Sequence, residues 1–302
     1  MQMNRRLLLV ALVWLGSACA AIHGPQAHTI SFNKPAELHE YLRWRPDRPP
    51  LLGAHRGGPS PGFPENCIAT FERSLLFAPC LIECDVRKSK DGIMVLMHDR
   101  SLERTTTGEG LVESLSLTQL KQLNLVDANG TVTEYKIPTL LETLRWAKGR
   151  AILELDIKGT VTPHEVVEAI KTEDAESCVV VITYDLQTAK LYHSLDDRLV
   201  LSCSTKGTEG VTRLLESGIP AVNLIGFVGV YEPPGEVYAL LHERGICAIL
   251  GTMGNLDRKA KRFGIETYIE LLRNGADVLA TDEVELASEA ITKYVQSRAE
   301  SK

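Results

Sequence analysis

The chain has no CxxC pair, no basic stripe, no repeat at a solenoid period and no excess of positive charge. Without paired cysteine spacing there is no cysteine metal site to argue for. With a net charge of -6 and a pI near 5.8, no electrostatic footprint for nucleic acid exists. Of the seven cysteines, the six after Cys19 are Cys67, Cys80, Cys84, Cys178, Cys203 and Cys247. Most of them lie in apolar, strand-like runs, so they read as buried thiols acting as small hydrophobes rather than as a disulfide framework. What is present is ordinary for a globular protein: 302 residues, 44% hydrophobic and 24% charged. Roughly 250 residues is the size of one α/β barrel, so one domain behind a leader is the economical reading.

The first twenty residues differ from the rest. Arg5-Arg6 precede an apolar run from Leu7 to Leu15 and the small residues Gly16-Ser17-Ala18-Cys19-Ala20. A basic start, a short apolar stretch and an Ala18-x-Ala20 exit predict a signal peptide over 1–20, too short for a comfortable membrane span, and hence export to a periplasmic or extracellular compartment. Cys19 also permits a lipid anchor, but Gly16 stands where a lipobox wants an aliphatic residue, so plain export is the preferred reading. A polar leader is expected over 21–48, and the main domain over 49–302.

From there, short aliphatic runs alternate with helix-period stretches, the pattern of βαβ units and a parallel sheet. The predicted strands are 51–54, 81–86, 93–97, 151–157, 178–183, 199–203, 221–224, 247–250 and 278–281. The predicted helices include 67–76, 139–148, 163–171, 210–217, 237–244 and 266–274. Nine strands exceed a closed barrel of eight by one. The surplus is explained by 87–92, which is too short for a parallel crossover and carries Asp91-Gly92 as its turn, so it must close an antiparallel hairpin. That hairpin is expected to set His98 roughly opposite Glu83. The segment 100–136, rich in Thr and Gly with one helical stretch near 117–125, is too long for an ordinary loop.

The chemistry-bearing residues gather between His55 and Asp99. Glu83 and Asp85 are two apart, so on a strand they face one side, and in a barrel that side is the interior. Two inward carboxylates are expensive without a cation, and an all-oxygen site suits Ca²⁺ or Mg²⁺. Gly57 and Gly58 after His55 allow close backbone approach to a ligand. Arg56 offers a planar fork suited to two phosphoryl oxygens. In a later strand Glu154, Asp156 and Lys158 share one side; Glu154 is read as a ligand or a support, and Lys158 as a partner of these acids or of phosphate. Glu65 and Asn66 lie in a Pro-bounded loop opening a helix, where Asn66 is suited to cap it and Glu65 to orient His55 or Arg56. His23, His28, His39, His164, His193 and His242 have no such context and are assigned no role.

These residues also form an ordered set: His55-Arg56-Gly57, Pro64-Glu65-Asn66, Glu83-Cys84-Asp85-Val86, Asp91-Gly92, His98-Asp99, Leu102 and Arg104-Thr105-Thr106-x-Gly108-x-Gly110. Ile137-Pro138-Thr139-Leu140, Leu155-Asp156-Ile157-Lys158 and Thr281-Asp282 follow in order. The series resembles the glycerophosphodiester phosphodiesterase family over nearly the whole chain after residue 45. The resemblance implies a distorted (β/α)8 TIM barrel of the phospholipase-C-like phosphodiesterase type, with 100–136 as the insertion covering its mouth. It implies His55 as general base, His98 as general acid, and one divalent cation, Ca²⁺ or Mg²⁺, between Glu83, Asp85 and Asp156. Asp156 stands where the family usually has glutamate. Arg104, Thr105 and Thr106 are read as scaffold for the His98 loop. The chain departs from the family at 251–255, which lacks the usual tryptophan, and after Thr281-Asp282, where a proline usually follows.

The implied reaction is metal-dependent hydrolysis of a small glycerophosphodiester to sn-glycerol 3-phosphate and an alcohol, within glycerophospholipid catabolism. Membrane contact is compatible with this but not required, and the sequence leaves the oligomeric state open. One alternative keeps the chemistry and changes the substrate: a phospholipase C or D on intact or lyso-phospholipid, with an apolar rim near 226–234 touching lipid. The other, an inactive phosphoglycerol-binding protein, predicts loss of a histidine or carboxylate, and none is lost.

Overall fold

Short runs rich in Val, Ile and Leu suit strands covered on both faces, and they are arranged that way. The computed structural model describes residues 27–300. Eight parallel strands form a closed ring: β1 Leu51–Ala54, β2 Cys80–Lys88, β4 Ile152–Ile157, β5 Val179–Thr183, β6 Val200–Ser204, β7 Leu224–Phe227, β8 Cys247–Gly251 and β9 Val278–Thr281. Pairing of β1 with both β2 and β9 closes it. The ninth, β3 (Met94–Leu96), runs antiparallel to β2, as the short connection requires. The fold is the expected (β/α)8 barrel.

The helices outside the ring are α2 Ile68–Ser74, α4 Leu140–Ala147, α5 Pro163–Thr172, α6 Leu186–Leu195, α7 Gly207–Leu215, α8 Gly235–His242, α9 Asn255–Phe263, α10 Glu266–Asn274 and α11 Val284–Glu300; α1 Pro35–Leu42 and α3 Leu117–Leu120 complete the set. The local sequence fixes several starts. Thr139 with Glu142 and Thr162 with Glu165 form capping boxes on α4 and α5, each satisfying two otherwise orphaned backbone donors. No described helix is long and apolar enough to cross a membrane.

Several expectations are corrected. Residues 221–223 form a 3-10 turn, and the seventh strand runs 224–227 instead of 221–224. Gly226 lies inside that strand, where a Cβ would fall 2.8 Å from the Leu241 side chain of α8, so glycine lets the helix pack closely without displacing that leucine. The proposed apolar rim therefore divides, with Gly226 and Phe227 in β7, Val228 buried, and Val230 and Tyr231 exposed. The helix near 117–125 lasts only for α3. From His28 onward the supposed leader is part of the barrel: Ile30, Leu38 and Leu42 are buried against the inward residues Leu51, Leu81, Ile152, Val180, Val200, Ile225, Cys247 and Val278, and α1 plugs the N-terminal end. The signal-peptide reading lies outside the described residues. The six described cysteines are free and buried, as small hydrophobes.

Candidate active site

Period two along each strand brings the carboxylates together. β2 and β4 pair so that Leu81 stands beside Ile152, Glu83 beside Glu154 and Asp85 beside Asp156. The first pair is core; the other two line the mouth. Glu83, Asp85 and Asp156 are all buried, and each contributes an oxygen to a group lying within 4.8 Å of one another. Burial, then the neighbouring Asp85, pushes the Glu83 carboxyl well above its usual range. Glu83 Oε2 accepts the Arg56 N–H at 2.6 Å, while Oδ1 of Asp156 is buried with no hydrogen-bond partner among the described residues. An all-carboxylate set with a spare buried oxygen and like-charge strain fits a hard divalent cation.

His55 follows β1 directly. Arg56 after it takes φ 50, and Gly57 and Gly58 take φ 85 and 78. Gly57 is required, because a Cβ there would fall 2.2 Å from the Phe71 ring. Left-handed backbone at Arg56 and at Asn66 (φ 55) is local strain held by the surrounding contacts. His55 Nδ1 lies 2.7 Å from Asp282 Oδ1 at the end of β9. A carboxylate only accepts, so Nδ1 carries the proton and Nε2 is left as the ring nitrogen with a lone pair. Asp282 is itself set by a buried cluster, in which its backbone N–H donates to Asp257 and Asp257 accepts from Tyr268 and Thr281.

His98 repeats the arrangement. Its Nδ1 is 2.7 Å from Asp99 Oδ1, and Arg104 Nε donates to Asp99 Oδ2 at 2.6 Å. That guanidinium holds the Asp99 carboxyl well below the usual range, so it stays ionised beside the imidazole. Arg104 also forks onto Glu65 at 2.8 Å to each oxygen, and Glu65 accepts from Arg56 Nη1 at 3.2 Å. Glu65 thus bonds Arg56 and, among the described contacts, not His55, while Arg104 ties Glu65 to Asp99. Met97 N–H donates to the Asp85 carbonyl, so the hairpin register brings His98 level with Cys84, one residue from the expected Glu83.

Asn66 does not cap α2. Its side-chain amide donates to Asp85 Oδ2 at 2.8 Å and accepts the Asp85 N–H at 2.8 Å, because a buried carboxylate has the stronger need for a donor. Lys158 pairs with acids: its Nζ is 3.2 Å from Asp85 Oδ1 and bonds Asp156 Oδ2. Arg56 Nε is buried without a hydrogen bond among the described residues, 3.9 Å from Asp85. Glu154, its carboxyl pushed up to about 7 by burial, faces a cavity of about 120 Å³ with His55, Ser202, Phe227 and Met253.

Asp282, Asp99 and Tyr184 were not picked out as site residues. Tyr184, just past β5, donates its hydroxyl to Asp156 Oδ2 at 2.6 Å. Asp282 and Tyr184 each stand two residues beyond an inward position, Ala280 and Ile182, so extending period two past the strand ends would have found them. The insertion reaches the rim through Asp127, which accepts the Gly62 N–H at 2.7 Å, and Ala128 and Asn129 border the outer groove with His55 and Asp282.

A parallel barrel with two carboxylate-held imidazoles and clustered acids and cations at the C-terminal ends of its strands is a hydrolase of the phosphodiesterase class. Residues 55–284 match the family model for the Glycerophosphoryl diester phosphodiesterase family, and the chain belongs to that family. A glycerophosphoryl diester phosphodiesterase from Parabacteroides distasonis superposes with a TM-score of 0.85 at 32% identity, over 89% of this chain and 95% of that one. An uncharacterised Bacillus subtilis protein is 29% identical, covering 78% of this chain and 96% of its own length. An Oleispira antarctica phosphodiesterase in complex with sn-glycerol-3-phosphate shares the fold, with a TM-score of 0.63 at 22% identity over 81% of this chain and 97% of that one.

Proposed function

We propose that the protein hydrolyses glycerophosphodiesters to sn-glycerol 3-phosphate and an alcohol, using His55 and His98 for proton transfer and Ca²⁺ or Mg²⁺ held by Glu83, Asp85 and Asp156. The observation that carries the reading is the pair of imidazoles, each with Nδ1 held by an aspartate so that Nε2 is left to work. When bound, the cation supplies positive charge to the phosphoryl oxygens.

In this route His55 Nε2 takes the proton of the glycerol 2-hydroxyl, whose oxygen attacks phosphorus. The bond from phosphorus to the leaving alcohol breaks as His98 protonates that oxygen, giving a five-membered cyclic phosphate. Water then opens the ring, with His98 accepting its proton and His55 returning the first one to the 2-oxygen. Arg56 and Lys158, both now turned toward carboxylates, swing to the phosphate when it arrives.

The twenty-residue leader supports export to a periplasmic or extracellular site, with anchoring at Cys19 a less favoured variant. Exposed Val230 and Tyr231 on the loop after β7 favour a second reading, action on phospholipid at a membrane. The deciding experiment assays mature protein, stripped with EDTA and resupplied with Ca²⁺ or Mg²⁺, for glycerol 3-phosphate release from glycerophosphocholine and glycerophosphoethanolamine. Cation-dependent release supports the first reading. Release only from phospholipid vesicles replaces it with the second.

A further inference from the structure

We propose that Tyr184 is a positioning residue of the cation site. Its hydroxyl holds Oδ2 of Asp156 and so leaves Oδ1 of that carboxylate as the oxygen offered to the site. The inference rests on the reading of Glu83, Asp85 and Asp156 as cation ligands and deepens it.

An aspartate on a strand end presents two equivalent oxygens, and the strand alone does not decide which one faces the site. Here the two are unequal. Oδ2 accepts from Tyr184 at 2.6 Å and from Lys158, whereas Oδ1 is buried and accepts from nothing described. A buried carboxylate oxygen without a partner is costly, and its natural complement is a cation. The 2.6 Å separation is that of a charge-assisted O–H···O⁻ bond, about the strongest neutral donor a side chain can supply.

Two further observations single out the tyrosine from the lysine that shares its acceptor. Lys158 divides itself between Asp156 and Asp85, at 3.2 Å from the latter, and is the group with reason to move toward phosphate. Tyr184 has one acceptor among its described contacts, Asp156, and reaches it from β5, the neighbouring strand in the ring. Core packing does not explain a tyrosine here either, since Tyr184 is 63% exposed. The ring borders the mouth cavity while the hydroxyl is turned inward onto the carboxylate. Lysine is therefore free to leave while the phenol keeps the carboxylate in place.

The test compares full-length wild type, Tyr184→Phe, Asp156→Glu and the double variant. Each is stripped with EDTA and titrated calorimetrically with Ca²⁺ and with Mg²⁺, and its melting temperature is recorded without cation. Removal of such an outer hydrogen bond weakens a metal site about tenfold. Tyr184→Phe is expected to bind cation about that much more weakly, with a cooperative cation-free melt showing that it is folded. In the Asp156→Glu background the same change is expected to do nothing, because the longer side chain carries its carboxylate past the phenol. Wild-type affinity in Tyr184→Phe overturns the proposal and leaves Lys158 as the sole support. An equal loss in both backgrounds overturns it in favour of a general structural role. Absence of binding by wild type itself overturns the cation reading beneath it, which no substitution is needed to reveal.

Discussion

The two ends of one barrel interior are built from the same strands to opposite purposes. Leu81 and Ile152 stand side by side near the closed end; four residues on, Asp85 and Asp156 stand side by side at the mouth, about 13 Å away at the usual strand rise. Below, α1 presses Leu38 and Leu42 into an apolar floor. Above, three buried carboxylates crowd within 4.8 Å of one another, an arrangement that costs stability unless a cation joins it. The difference shows where the fold draws its free energy and where it uses that surplus to hold groups that repel.

The comparison can be broken by experiment. The largest expected effect is at the mouth: His55→Ala should lower kcat/KM about a thousandfold, roughly 4 kcal/mol, with its urea midpoint unchanged. A loss under tenfold would remove His55 from proton transfer. At the floor the reverse is expected. Leu38→Ala, which empties a fully buried site, should cost about 3 kcal/mol in urea unfolding and leave kcat of the folded protein intact. Adding Ca²⁺ or Mg²⁺ at a hundredfold over its dissociation constant should then stabilise wild type and Leu38→Ala alike by about 2.7 kcal/mol, and Asp85→Asn hardly at all. An equal gain in Asp85→Asn would sever the link between mouth and cation.

The smallest effect concerns neither end. Lys88, with the Thr162 backbone, holds the Glu165 carboxyl down at about 2 on the outer surface. A depressed acid stabilises the fold above its unfolded value of 4.5 and loses that contribution as pH falls toward 2. With the Glu165 side chain 39% exposed, the loss should be about 0.5 kcal/mol, seen as a shallower acid limb in the melting profile of Glu165→Gln.

Much of this was legible in the residues. Period two alone turned Glu83, Asp85, Glu154 and Asp156 inward, and the shortness of 87–92 forced the hairpin that delivers His98. What escaped was carried by partners rather than patterns. Asn66 looks like a cap, but a buried Asp85 outbids a helix end for its amide. Period two extended past β9 places Asp282 at the mouth, but its pairing with His55, 227 residues away, is one that no local spacing announces. Helix α9 fully buries only Asp257 and Ala260 in a run dominated by charged residues, so little apolar material marked it, and α6 buries little beyond Ala189 and Tyr192.

One consequence lies in α11. It starts with Val284 beside the mouth groove and ends where Arg298 bonds the Pro46 carbonyl, near residues 47–49 that lead into β1. The described chain therefore enters and leaves on the floor side of the barrel. A carrier protein, a bead or a surface joined at either end meets the closed face, and the mouth points away from the attachment.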